Sequence, residues 1–144
     1  MHHIGKLVAR IHEAQQRWLT DELESAGLKG LAPSHGDVFG YLFAHGSATM
    51  ADLADFAHRT RPTMTVLVDK MESLGLVRRR KSKDDARNQI VSLTKHGESL
   101  RPVLEDISTR FISRLYDGVS DSDADEVERI LTKILSNTEK GKTP

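Results

Sequence analysis

Apolar positions along the chain repeat with two different periods. Ile4, Leu7, Val8, Ile11, Trp18, Leu19 and Leu23 recur at helical spacing and predict a long amphipathic helix over 4–24, ended by Gly27 and Gly30. A second helix is expected over 34–45, with Ser34 as N-cap and Val38, Phe39, Tyr41, Leu42 and Phe43 supplying its apolar side. HGS at 45–47 stops it. A short helix over about 50–57 turns Leu53, Ala54 and Ala57 inward. Met64, Leu67, Val68, Met71 and Leu74 then fall on one stripe, with Pro62 near the helix start and Gly75 where a glycine C-cap belongs.

The period next changes to that of strands. LVRRRK and NQIVSL read as two short strands, and the polar SKDDAR between them as a hairpin loop. Thr94 is placed to cap a following helix that carries Leu100, Val103, Leu104, Ile107, Phe111, Ile112 and Leu115. Pro102 lies inside that pattern and either kinks the helix or marks a slipped start. Ser120 caps a last helix with acidic residues in its first turn and a stripe of Val127, Ile130, Leu131, Ile134 and Leu135.

Two short helices joined by a tight turn and followed by a hairpin form a winged helix-turn-helix. The expected fold is therefore mainly α with a small β-hairpin wing. Residues 1–30 form an N-terminal dimerisation helix, and residues 31–94 the winged core, with a recognition helix at about 61–74 and a wing at about 76–93. Residues 95–137 supply C-terminal dimerisation helices, and residues 138–144 a flexible tail. The terminal stripes are more apolar surface than so small a core can cover, which calls for a second copy of the chain.

Charge sharpens this reading. The 144 residues balance 21 basic against 21 acidic side chains. Residues 1–58 hold four basic and seven acidic side chains, residues 59–95 ten and four, and residues 96–144 seven and ten. A positive centre between acidic ends is the asymmetry of a nucleic-acid contact surface. On the helix over 61–74, the side opposite the core stripe carries Pro62, Thr65 and Val66, flanked by Arg61 and Thr63. Threonine can bond to bases or phosphates, and Val66 or a threonine methyl can touch thymine methyls. Asp69 is repelled by phosphate and is expected to hold a neighbouring cation. In the hairpin, Arg78, Arg79, Arg80, Lys81 and Lys83 are expected to track phosphates, and Arg87 to enter a minor groove, oriented by a bidentate pair with Asp85.

The run LADFAHRTRPTMTVLVDKMESLGLVRRRKSKDDARNQIVSLTKHG resembles the DNA-binding core of the multiple antibiotic resistance regulator (MarR) family. The matching pattern is VDKMESLGLV, then basic residues, then Asp85, Arg87, Leu93 and Thr94 at the family's spacing. The resemblance implies a homodimeric regulator of transcription in which terminal helices intertwine. Two winged domains then bind a pseudo-palindromic operator in double-stranded DNA, most often as a repressor released by a small-molecule effector. Many relatives carry a basic residue where this chain has Val66, so guanine readout from that position is not expected. The family's oxidation-sensing branch uses a cysteine, and this chain has none.

The absence of cysteine excludes disulfides and thiolate metal sites and fits a cytoplasmic protein. No apolar run is long enough to span a membrane. The seven histidines, His12, His35, His45 and His58 among them, show no ligand spacing, so neither metal nor cofactor is expected. No G-x-S-x-G, P-loop, G-x-G-x-x-G or H-E-x-x-H is present, and an enzyme is the least favoured class. The alternative is a winged dimerisation module that binds protein, which leaves the central positive charge unexplained.

Overall fold

The computed structural model describes residues 2–140. The helices α1 (Ile4–Ser25), α2 (His35–His45), α3 (Met50–Ala57), α4 (Arg61–Ser73), α5 (Lys95–Ser99), α6 (Arg101–Leu115) and α7 (Asp121–Glu139) are joined by strands β1 (Ser47–Thr49), β2 (Val77–Lys81) and β3 (Gln89–Leu93). Two compact units divide inside α6, one ending at Ile107 and the next beginning at Ser108.

The first unit holds the core. Val38, Phe39 and Leu42 of α2 pack with Leu53 and Ala54 of α3, with Met64, Val68 and Met71 of α4, and with Val77 and Val91 of the sheet. Two side-chain caps set the helix-turn-helix. Thr49 and Asp52 make a reciprocal capping box at the start of α3, and the Thr60 hydroxyl accepts from the Thr63 N–H at the start of α4. Between the helices the chain turns through His58 at φ 52°, a left-handed conformation that glycine tolerates best.

The sheet has a third strand that alternation did not reveal. Its order is β1-β3-β2, antiparallel throughout, with Ala48 opposite Val91 and Val77 opposite Leu93. β1 has three residues, too few to register as a period. Its Ala48 is nonetheless buried between helix and sheet. Pro102 marks a slipped start and no kink: α5 ends at Ser99 and α6 begins at Arg101, placing the proline in the first turn, where its missing N–H costs nothing. Ser34 precedes α2 but makes no side-chain cap bond. Residues 138 and 139 of the expected tail continue α7, which runs through Glu139, and residues 141–144 lie outside the described residues.

His35, which follows Ser34, is buried to within 5% of its surface. Its Nδ1 accepts from the Ala32 backbone N–H at 2.9 Å, which puts the neutral ring's proton on Nε2, a buried atom with no partner. Burial pushes its pKa down, and Lys70 adds to this against the Ala32 backbone. A histidine lowered in the native state takes up its proton first in the unfolded chain. Stability is therefore flat above the ordinary imidazole value of about 6.5 and falls as pH drops through it. His35→Gln is expected to flatten that decline in urea midpoints measured between pH 7.5 and 5. An identical pH slope in both proteins refutes the assignment.

The second unit contains no buried residue among those described: α7 has none, and Phe111, Tyr116 and Ala124 are only half-covered. Within it, the Tyr116 hydroxyl donates to Glu128 at 3.0 Å and Arg129 pairs with Glu126 at 2.6 Å. Val127, Ile130, Leu131, Ile134 and Leu135 of α7 stand exposed. At the other end of the chain, so do Ile4, Leu7, Val8 and Ile11 of α1. Among the described residues no helix is long and apolar enough to cross a membrane.

Candidate nucleic-acid interface

Because Met64, Val68 and Met71 anchor α4 to the core, its first two turns present Arg61, Pro62, Thr63, Thr65 and Val66 outward. All five sequence-predicted positions are exposed, and Val66 is 68% exposed. The hydroxyls on this helix are largely engaged with it. Thr65 Oγ1 donates to the Arg61 carbonyl at 3.0 Å, and Ser73 Oγ to the Lys70 carbonyl at 2.7 Å. Thr63 Oγ1 accepts from the Thr60 hydroxyl at 3.0 Å and keeps its own hydrogen to give.

The wing starts from a tight junction. Gly75 at φ 72° lets Leu76 N–H reach back to the Met71 carbonyl, closing α4 and launching β2. At the far end of the hairpin Thr94 joins both strands. Its N–H donates to the Leu76 carbonyl, its hydroxyl donates to the Gly75 carbonyl, and the same oxygen caps α5 by accepting from Gly97 N–H.

Strand alternation then divides the cations. Val77 is buried, so Arg79, two residues on, lies on the same side, while Arg78 and Arg80 project away and are exposed. Arg79 turns onto α4. Its Nη2 lies 2.6 Å from Asp69 Oδ1 and 2.9 Å from Glu72 Oε1, and its backbone N–H donates to Glu72 Oε2 at 3.2 Å. The bond from Arg79 holds the Glu72 carboxyl below the usual range, and the same bond raises the guanidinium. Asp69 thus holds a cation, as its position implied. Arg79, grouped with the phosphate-tracking residues on sequence grounds, instead clamps the wing to the helix.

At the tip, Lys83 and Arg87 are exposed, Arg87 with 90% of its side chain in solvent. Asp85 does orient Arg87, but not through a bidentate fork. One oxygen, Oδ1, accepts both the Arg87 backbone N–H at 3.0 Å and its Nε–H at 3.2 Å. The guanidinium's two terminal nitrogens take no part in this pairing with Asp85. Asp84 N–H meanwhile bonds the Ser82 hydroxyl, closing the loop on itself.

The histidines lie elsewhere. His45 Nδ1 bonds the Tyr41 carbonyl and its ring stacks on Tyr41 at 4.1 Å. Among the described residues no three histidine or carboxylate side chains stand close enough to hold a metal.

Known proteins match the same elements. A sequence model of the MarR family matches residues 41–88, from the second half of α2 into the wing loop. The transcriptional regulator SarZ of Staphylococcus haemolyticus is 32% identical over 75 residues, 52% of this chain. The chain spans about half of SarZ, 50% of its length. The MepR–DNA complex of S. aureus superposes with a TM-score of 0.86 at 26% identity, covering 95% of this chain and 99% of MepR. A mutant MarR of E. coli in complex with operator DNA shares the fold, at a TM-score of 0.78 and 20% identity over 92% of this chain and 93% of its own. The sequence match to the MarR family model is thus centred on α4 and the wing, and the likeness in fold to MepR extends over 95% of the chain.

Proposed function

We propose that the protein is a homodimeric, sequence-specific DNA-binding regulator of transcription that acts in the cytoplasm as a repressor released by a small effector. The observation that carries this reading is the pairing of two exposed elements. A helix with outward Arg61, Pro62, Thr63, Thr65 and Val66 stands beside a wing whose Arg78, Arg80, Lys81, Lys83 and Arg87 are free of the core. The helix suits the major groove. The wing cations suit phosphates, and Arg87, aimed by Asp85, suits the narrow groove beyond. The complexes that MepR and MarR form with DNA support the same reading. Two copies then place their recognition helices about one helical turn, ~10 bp, apart. An effector that changes this spacing leaves only one half-site satisfied. A winged module that binds protein gives the exposed wing cations no role.

Binding to duplex DNA measured from low to moderate salt tests the reading. A slope near zero in log K against log salt removes it. The same experiment separates the arginines. Arg78→Ala and Arg80→Ala are each expected to make the slope shallower by about 1, because a phosphate contact is lost. Arg79→Ala is expected to lower affinity while leaving the slope unchanged, because its charge is spent on Asp69 and Glu72. A slope change equal to that of Arg78→Ala sinks the clamp assignment. The best duplex, rescreened against small aromatic acids, tests release by an effector.

A further inference from the structure

We infer that the centre of the recognition helix reads thymine through its C5 methyl group, so that each half-site contains at least one obligatory thymine facing Val66. This rests on the DNA-binding reading above and specifies which base its central contact selects.

Hydrogen-bond readout from this part of α4 is poorly supplied. Between residues 62 and 68 there is no arginine, lysine, asparagine or glutamine, the side chains that make paired bonds to purine edges. Thr65 has already given its hydroxyl hydrogen to the Arg61 carbonyl. Pro62 has neither an N–H nor a polar side-chain atom. Further along, Asp69 is committed to Arg79, and the Ser73 hydroxyl to Lys70. What the helix offers at its exposed centre is apolar: the two methyls of Val66, the methyl of Thr65 and the ring of Pro62.

The major groove has one apolar feature to match them. The thymine methyl is the only methyl group the four bases place there, standing beside thymine's own O4; guanine, cytosine and adenine have none. Against Val66, a cytosine amino group or a guanine carbonyl loses its water and finds no partner. Thymine is therefore favoured by methyl-on-methyl packing, with its methyl rather than a polar atom set against Val66. Polar readout is left to Arg61 and to the remaining hydroxyl hydrogen of Thr63, both at the N-terminal end of α4.

The test uses the full chain. Duplexes are selected from a random pool, and the affinity of the best one is measured with each thymine replaced singly by deoxyuridine, which removes the methyl and keeps the pairing edge. The wild type is expected to lose about three- to tenfold at one or two thymines per half-site. Val66→Ala, at an exposed position that leaves the fold intact, is expected to bind the thymine and deoxyuridine duplexes within about twofold of each other at those positions. Wild-type binding that is insensitive to deoxyuridine at every position overturns the inference and leaves DNA binding standing. A sensitivity retained in Val66→Ala overturns it as well, by placing the methyl recognition elsewhere. Failure to enrich any duplex overturns the DNA-binding reading itself.

Discussion

Gly97→Ala is expected to cost the winged unit more than about 3 kcal/mol, lowering its thermal midpoint by roughly 10 °C or preventing folding. Gly97 opens the first turn of α5 and is buried against the base of the wing. A methyl built there collides with the Leu76 carbonyl oxygen and lies 3.0 Å from Leu93 Cδ2. A side chain in the way can swing aside. This carbonyl cannot, because it accepts the Thr94 N–H that ties the end of β3 to the end of α4. Relief therefore requires α5 to lift or the hairpin to shift, and both loosen the element that carries the wing cations. Gly40 provides the opposite case. It lies within α2, with nothing within 4 Å of an added Cβ and no positive φ. Gly40→Ala should raise the midpoint by up to a few degrees, since alanine gains as much as about 1 kcal/mol over glycine inside a helix. Melting curves of the two variants beside the wild type check both. A Gly97→Ala protein as stable as the wild type means that the wing base is not as tightly closed as the structure has it.

Gly97 also shows where sequence reasoning stopped. Helix boundaries were legible wherever a long stripe met a chemical stop: Pro62 and Gly75 bracket α4, and Ser120 caps α7 with its hydroxyl accepting from Asp123 N–H. The glycine's role was not legible, because it arises from a carbonyl twenty-one residues upstream that no local period reports. β1 was missed for a related reason, since three residues become a strand only when β3 is beside them. The interface was partly legible. Charge counts located the wing and the stripe oriented α4. Counting alone could not divide three consecutive arginines into two outward and one inward. Strand alternation from Val77 contained that division, masked by the identical charge that Arg79 shares with its neighbours.

Changing Ile130 and Ile134 together to aspartate is expected to convert a dimer to monomers and to weaken operator binding by at least 100-fold. Both residues lie on the exposed stripe of α7, 43% and 36% accessible in the single chain, with Val127, Leu131 and Leu135 beside them. The unit that holds α7 has no buried residue among those described, so its helices have no core of their own to stabilise them. In proteins most of a helix's stability comes from packing its apolar face rather than from intrinsic propensity. Each aliphatic side chain fully covered by a partner contributes about 1.5–3 kcal/mol, and two charges placed in that interface reverse the balance. DNA binding falls further than the loss of one side-chain interaction explains, because in the proposed dimer two linked winged units engage two half-sites as one event. Linkage of that kind is worth about 10²–10⁴ in affinity without any added interaction. Sedimentation gives the assembly state and a mobility shift on the selected duplex gives the affinity. Helical content measured in parallel separates a folded monomer from an unfolded chain, and a wild-type midpoint that rises with protein concentration supplies the same answer where the variant does not fold. A doubly substituted protein that stays dimeric and binds its operator as tightly as the wild type would place the subunit interface elsewhere. The exposed apolar face of α1, with Ile4, Leu7, Val8 and Ile11, is then the next surface to charge.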